Sequence, residues 1–360
     1  MSTSIPASAR WGRQASIALA VLLFVPMAAR SQGDEPWTLK PRQVPAPAAV
    51  SPELHAAIAA APLPDAETQW GFVPQDADGW RAMQKATLRA QPLDGIAKSN
   101  GVAIEAGEIA GVEVFLVEPL SPAADHAEHL FLHVHGGGYV LGGGNGAVTE
   151  AAVAAGIAGI RAVSIDYRMP PDHPFPAAVE DVVAVYRELL KERAASSIAI
   201  GGTSAGGGLA LASVHRFLAL GLEPPGAIYA GTPWADLTKT GDTLFTNEGL
   251  DRVLVAYDGL LEAAAELYAD GHDLRDPLIS PVYGSFEGFP PTYLVTGTRD
   301  MFLSDTVRTH RKLKAAGVVA DLNVYEGFSH AEYLMVPTAP EAREVFEEMG
   351  AFFGRHLSAD

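Results

Sequence analysis

From Val102 onward the chain alternates between short β-rich apolar runs and longer stretches whose apolar residues recur every three or four positions. "VAIEA" and "VEVFLVE" predict a hairpin turning near Gly107–Gly111, and "LFLHV", "RAVSIDY", "SIAIG", "GAIYA", "TYLVTG" and "ADLNVYE" predict the strands that follow. Helices are expected over 177–193, 207–220, 304–316 and 339–356, mainly between the later runs. Parallel neighbours can be joined only by a crossover, so this order predicts an α/β protein with an eight-stranded, mostly parallel sheet flanked by helices.

Other stretches fall outside that rhythm. The interval at about 235–290 is too long for a simple crossover and contains "LVAYDGLLEAAAELYADG", which predicts an inserted helical cap within a main domain over 98–360. Residues 52–97 carry Trp70, Phe72, Trp80, Met83 and Leu88 among polar positions and are expected to form the N-terminal part of that cap; the core of short helices is the plainer alternative. Before them, 32–51 is proline-rich and aperiodic, an extended arm or linker. Residues 1–31 place Arg10 and Arg13 ahead of "ASIALAVLLFVPMAA" and end on "ARS", the pattern of a cleaved export signal. That apolar run of about 15 residues is interrupted by Pro26 and falls short of the roughly 20 that a spanning helix needs. A periplasmic or secreted chain with no stable membrane insertion after signal removal is therefore expected. No internal repeat or heptad run is present.

Composition narrows the functional classes. With 360 residues and 48% apolar content there is enough material for a full core. The net charge of −18 becomes −21 without the first 31 residues, which hold three arginines and no acid, and this argues against nucleic acid or anionic lipid as the main partner. The absence of cysteine fits an exported protein of this size and a cytoplasmic one equally well.

The chemistry concentrates at "AIGGTSAGGGLALA", Ala199–Ala212. A strand runs into Gly202-Thr203-Ser204-Ala205-Gly206 and a helix leaves it, the G-x-S-x-G turn that raises a serine hydroxyl above the sheet. Gly202 and Gly206 leave room where side chains would collide, and the helix aims its N-terminal amides at any anion formed there. A serine needs a base, and the base needs an acid to hold its tautomer. Asp300 follows the strand "TYLVTG" and His330 follows "ADLNVYE", in the order Ser, acid, His and on consecutive strand ends. Asp305 is the rival acid, although its place in the helix over 304–316 favours stabilisation of that helix's N-terminus. "HVHGGGYVLGG" follows the strand "LFLHV"; Gly137, Gly138 and the Ala205 amide are the expected oxyanion donors, and Tyr139 and Phe302 the candidate pocket walls. His133 and His135 are an alternative metal pair, with no further ligand set to complete it. No Walker A sequence or G-x-G-x-x-G fingerprint supports nucleotide chemistry.

Taken together, "HGGGYVLGG", "DYRMPPDHPFPAAVED", "GGTSAGGGLALA", "DPLISP", "GTRDMFLSDTVRTHRKL" and "EGFSHAEY" resemble the bacterial hormone-sensitive-lipase-like esterases of the α/β-hydrolase superfamily, over about His129 to Phe353. The resemblance implies a carboxylic-ester hydrolase with no cofactor and no metal, a cap over the site, and catalytic roles for Ser204, Asp300 and His330. It also implies oxyanion donation by Gly137, Gly138 and Ala205. Two departures stand out: Thr203 occupies a position where much of the family carries Asp, as in a GTSAG-type subgroup, and "PPD" replaces the usual "APE" after "DYR". The "GTRDMFLSDTVRTHR" stretch is similar to that of lactone-hydrolase relatives, so short-chain esters or lactones are the expected small-molecule substrates. A non-catalytic binding module on the same fold and a serine peptidase are the competing readings; oligomeric state is left open.

Overall fold

The structure, a computed structural model, describes residues 1, 36, 38, 40–65, 73–88 and 92–358. The expected export signal, Trp70 and Phe72 lie outside the described residues. Residues 1–45 and 46–360 form two units. In the first, the described residues 36, 38 and 40–45 are exposed and adopt neither helix nor strand.

The second unit opens with three short helices, α1 (Pro52–Ala60), α2 (Ala77–Thr87) and α3 (Leu93–Asn100). The alternation follows: β1 (Val102–Ile109), β2 (Val112–Pro119), β3 (Leu130–Val134), α4 (Thr149–Ala158), β4 (Arg161–Ile165), α5 (Ala177–Leu189), β5 (Ile198–Thr203), α6 (Ala205–Ala219) and β6 (Ala227–Gly231). After an insertion carrying α7 (Thr243–Thr246) and α8 (Leu260–Ala269) come β7 (Thr292–Gly297), α9 (Leu303–Ala315), β8 (Ala320–Tyr325), α10 (Glu332–Met335) and α11 (Pro340–His356). The eight strands form one sheet in the order β1-β2-β4-β3-β5-β6-β7-β8. Strands β3 to β8 run parallel, while β2 is antiparallel to both β1 and β4. The hairpin turns at Ala110–Gly111, both with positive φ; Gly107 lies inside β1, opposite Val114.

Side-chain alternation sends each central strand to both faces. Leu130, Leu132, Ile198, Ile200, Ile228 and Leu294 join one apolar cluster with α5 and α6, while Phe131, Ala199, Tyr229, Tyr293 and Val295 join a second with α4 and α11. In α11 the buried positions Ala342, Val345, Phe346, Met349, Phe352 and Phe353 follow the helical spacing of one apolar stripe. Helix α6 is buried over most of its length, since it lies beneath the inserted segment as well as on the sheet.

The 52–97 stretch divides. Leu54 of α1 packs in the second cluster with Phe346 and Phe328, and the Ser51 hydroxyl donates to Glu341 at 2.7 Å. Trp80 of α2 packs in the first cluster, and the Gln84 amide donates to the carbonyls of Val140 and Pro170 at 2.8 and 2.7 Å. Among the described residues no helix is long and apolar enough to cross a membrane.

Candidate active site

The serine turn follows from how closely β3, β5 and β6 approach at their carboxyl ends. Ser204 follows β5 with φ 63° and ψ −127°, a conformation that L-residues rarely occupy. Its N–H donates to the Gly231 carbonyl of β6 at 2.8 Å, and its own carbonyl accepts from Gly208 and Trp234 at 3.0 and 2.9 Å. A Cβ at Gly202 would stand 1.9 Å from the Val134 carbonyl oxygen, and one at Gly206 would stand 2.0 Å from the same atom. Both positions therefore exclude any side chain, and the strained serine is held from three strands.

An acid reaches this turn from α4. Glu150 is buried, accepts the Thr203 N–H at 3.2 Å and the Thr203 hydroxyl at 2.5 Å, and lies 3.1 Å from His133 Nε2. Thr203 Oγ1 is in turn 2.7 Å from the Tyr333 hydroxyl. The residue before Ser204 is thus fixed by a carboxylate that its own side chain does not carry.

Asp300 and His330 come together at the ends of β7 and β8. His330 Nδ1 lies 3.2 Å from Asp300 Oδ1, and both side chains are buried. With Nδ1–H directed at the carboxylate, Nε2 is left as the acceptor. Asp300 receives further donors: the Phe302 N–H on Oδ1 at 2.8 Å, and on Oδ2 the hydroxyls of Thr296 at 2.8 Å and of Thr232. Both of its oxygens are thus used as acceptors. Asn247 holds the Asp300 carbonyl at 2.9 Å. Asp305 has other contacts: it accepts the Asp236 N–H at 3.0 Å, and Arg308 lies 4.0 Å away. Burial and the neighbouring Asp236 push its carboxyl well up.

Ser204 and His330 line one cavity of about 550 Å³. Gly136, Gly137 and Gly138 form part of its wall, together with Val253, Leu254 and Leu260 of the inserted segment. The N–H groups of Gly137, Gly138 and Ala205 donate to no acceptor among the described residues. The glycine loop is folded back on itself, since a Cβ at Gly142 would sit 2.5 Å from the Gly136 carbonyl oxygen. Asp166 of "DYR" accepts the Gly144 N–H at 2.9 Å, and burial pushes its carboxyl up to about 6. His135 stacks on Tyr167 with ring centroids 4.0 Å apart, and burial pushes it down to about 3, so it is neutral. His133 and His135 have separate partners, the first Ser164 and Glu150, the second the Gly136 carbonyl.

Tyr139 and Phe302 differ from expectation, for neither lines the cavity. Tyr139 takes φ 65°, stacks on Tyr268 at 4.2 Å and donates its hydroxyl to the Trp234 carbonyl at 3.2 Å. Phe302 stacks on Trp234 at 5.5 Å and meets the His330 ring edge-on. Both turn into the core that supports the site, because that is where aromatic partners are available. The cavity walls are instead aliphatic, with Leu334 and Met335 of α10 and Val153 of α4 among them. Sequence reasoning also missed Glu150, Thr232, Asn247, Asp251 and Thr296. Glu150, Thr232 and Thr296 show in the sequence only as polar residues among apolar or small ones, while Asn247 and Asp251 stand among other polar residues, and neither setting separates a site residue from a structural one.

Comparisons with known proteins bear on the family. A family described as alpha/beta hydrolase fold matches residues 131–334. An acetyl-hydrolase of Streptomyces hygroscopicus is 32% identical over 254 residues, 70% of this chain and 84% of that protein. The carboxylesterase/phospholipase LipF of Mycobacterium tuberculosis is 33% identical over 66% of this chain and 65% of its own length. Among solved structures, esterase E25 superposes with a TM-score of 0.86 at 48% identity, covering 90% of this chain and 99% of that one. An esterase from the bacterial hormone-sensitive lipase family gives 0.69 at 31% identity, covering 86% and 99%. With its sheet order, its strained serine turn and these relatives, the chain belongs to the α/β-hydrolase family, among the bacterial hormone-sensitive-lipase-like esterases.

Proposed function

We propose that this esterase is a serine carboxylesterase acting on short-chain esters or lactones through an acyl-enzyme. The observation that carries the reading is the shared cavity wall: Ser204 at a strained turn, and His330 with its Nδ1 bound by Asp300. Ser204 Oγ attacks the acyl carbon while His330 Nε2 takes its proton. Asp300 holds the ring in the required tautomer and stabilises the imidazolium. The oxyanion accepts the N–H groups of Gly137, Gly138 and Ala205, the last at the positive end of α6. His330 then protonates the departing alkoxide, the ester bond breaks, and a water activated by the same nitrogen releases the acid and regenerates Ser204.

Substrate length follows from the cavity. Each methylene that fits contributes about 0.8 kcal/mol, roughly fourfold in kcat/KM, until the aliphatic walls are reached. Across p-nitrophenyl esters, with lactones assayed in parallel, kcat/KM is expected to peak at roughly four to eight acyl carbons and then fall. A steady rise to palmitoyl esters below their aggregation limit would contradict an enclosed site. The first 31 residues are further proposed as an export signal, so that the mature chain begins near Gln32. Mass spectrometry of the natively expressed protein checks this, and intact Met1–Ser31 in soluble cytoplasmic material would contradict it.

A further inference from the structure

A second acid sits behind the Asp300–His330 pair, in the inserted segment. Asp251 is fully buried, and its Oδ2 accepts the N–H of Met301 at 2.9 Å and that of His330 itself at 3.2 Å. Its Oδ1 accepts the N–H groups of Val253 and Leu254 at 2.9 and 3.1 Å. One carboxylate therefore joins the loop that carries the acid, the residue that is the base, and two residues of the insertion that line the cavity. The adjoining residue tightens the same junction: Arg252 donates its N–H to Ser329 Oγ at 3.2 Å and pairs through Nε with Glu332 at 3.0 Å.

We infer that Asp251 is a positioning residue for ester hydrolysis, setting the spacing of the Asp300 and His330 loops and locking the Val253–Leu254 wall of the cavity to them. The inference rests on the serine-esterase reading above. Four N–H groups converge on one carboxylate, so only an acceptor on both oxygens satisfies them. A protonated carboxyl or an amide would turn a donor toward at least one of those groups and loosen a loop. The groups facing Asp251 are the Asp300 carboxylate on the β7 side and the His330 imidazole on the β8 side, with the Arg252–Glu332 pair beside them. Burial, then the Asp300 charge, push the Asp251 carboxyl up to about 6, against the opposing effect of His330. On this account, protonation of Asp251 adds its own loss of activity at acid pH.

The test compares wild type with Asp251→Asn, using p-nitrophenyl butyrate as the substrate and burst titration to count active sites. The variant mimics the protonated carboxyl at every pH. Its kcat per titrated site is expected to fall about 10²-fold, with KM altered much less. Over the roughly two pH units in which Asp251 protonation exhausts that 10²-fold loss, the acid limb of log kcat/KM should descend with a slope of about two in wild type and about one in the variant. A purely structural role would lower the melting temperature and leave that slope unchanged. If the variant does not fold, the wild-type slope remains decisive. A wild-type slope of one, or wild-type kcat in the folded variant, would overturn the role of Asp251 and leave the esterase reading intact. A wild type that hydrolyses no ester would overturn both.

Discussion

Ser204→Ala is expected to lower kcat on p-nitrophenyl butyrate by on the order of 10³-fold or more without unfolding the protein, because nucleophile, base and acid act as one unit. The hydrogen bonds that hold Ser204 itself are backbone bonds, from Ser204 N–H to Gly231 and from Gly208 and Trp234 to the Ser204 carbonyl, and alanine retains them all. Alanine also takes the same strained φ at a similar cost, so circular dichroism and melting should match wild type. His330→Ala should behave alike. Asp300→Asn is also expected to keep the fold and lose most of the activity. Its amide would point a donor at one of the groups that now donate to the carboxylate, His330 Nδ1–H or the Thr232, Thr296 and Phe302 donors, and the imidazole tautomer would no longer be held. Near-wild-type turnover by pure, folded Ser204→Ala would remove the mechanism and favour a non-catalytic binding role for the cavity.

The second large effect is expected at Gly137. Its φ is 115°, and an added Cβ would stand 2.2 Å from the Leu141 carbonyl oxygen and 2.6 Å from its carbon. Backbone cannot yield as a flexible side chain would, so Gly137→Ala must shift the loop that presents the Gly137 and Gly138 amides to the cavity. Loss of one oxyanion donor costs about 10² to 10³ in kcat, and here two are displaced together. The expected result is a fall in kcat of at least that size, with KM changed far less, since the donors act chiefly on the transition state. Gly146, also on the cavity wall, has nothing within 4 Å of an added Cβ, so Gly146→Ala serves as the steric comparison. Wild-type kcat in a folded Gly137→Ala variant would place the oxyanion elsewhere.

The elements that build the site differ in how openly the sequence announces them. The serine turn is legible because its neighbours must be glycine, and the structure supplies the reason in the Val134 carbonyl that Gly202 and Gly206 pack against. Asp300 and His330 are legible because parallel strands deliver their next residues to one edge of the sheet. Helix boundaries moved by a few residues: the helix expected over 177–193 ends at Leu189, where the chain turns toward β5. Tyr139 and Phe302 were misplaced because adjacency in sequence says nothing about which side of a loop a ring occupies. A positive φ carries Tyr139 onto Tyr268, and Trp234, far away in sequence, draws Phe302 inward. Glu150 and Asp251 were invisible for a related reason. Each acts on backbone N–H groups of distant segments, and an acid on a helix or in a long insertion reads as a solvated charge until the fold buries it.

The most direct test of the central claim is a covalent trap. The folded protein is incubated with a fluorophosphonate, whose phosphorus takes the place of the acyl carbon and whose fluoride leaves as the serine oxygen bonds. The digest is then mapped by mass spectrometry while residual esterase activity is followed. The account predicts one adduct per chain, located at Ser204, appearing in proportion to the loss of activity and strongly slowed in His330→Ala. Complete inactivation with the adduct on another residue, or full labelling of Ser204 with ester hydrolysis undiminished, would contradict it.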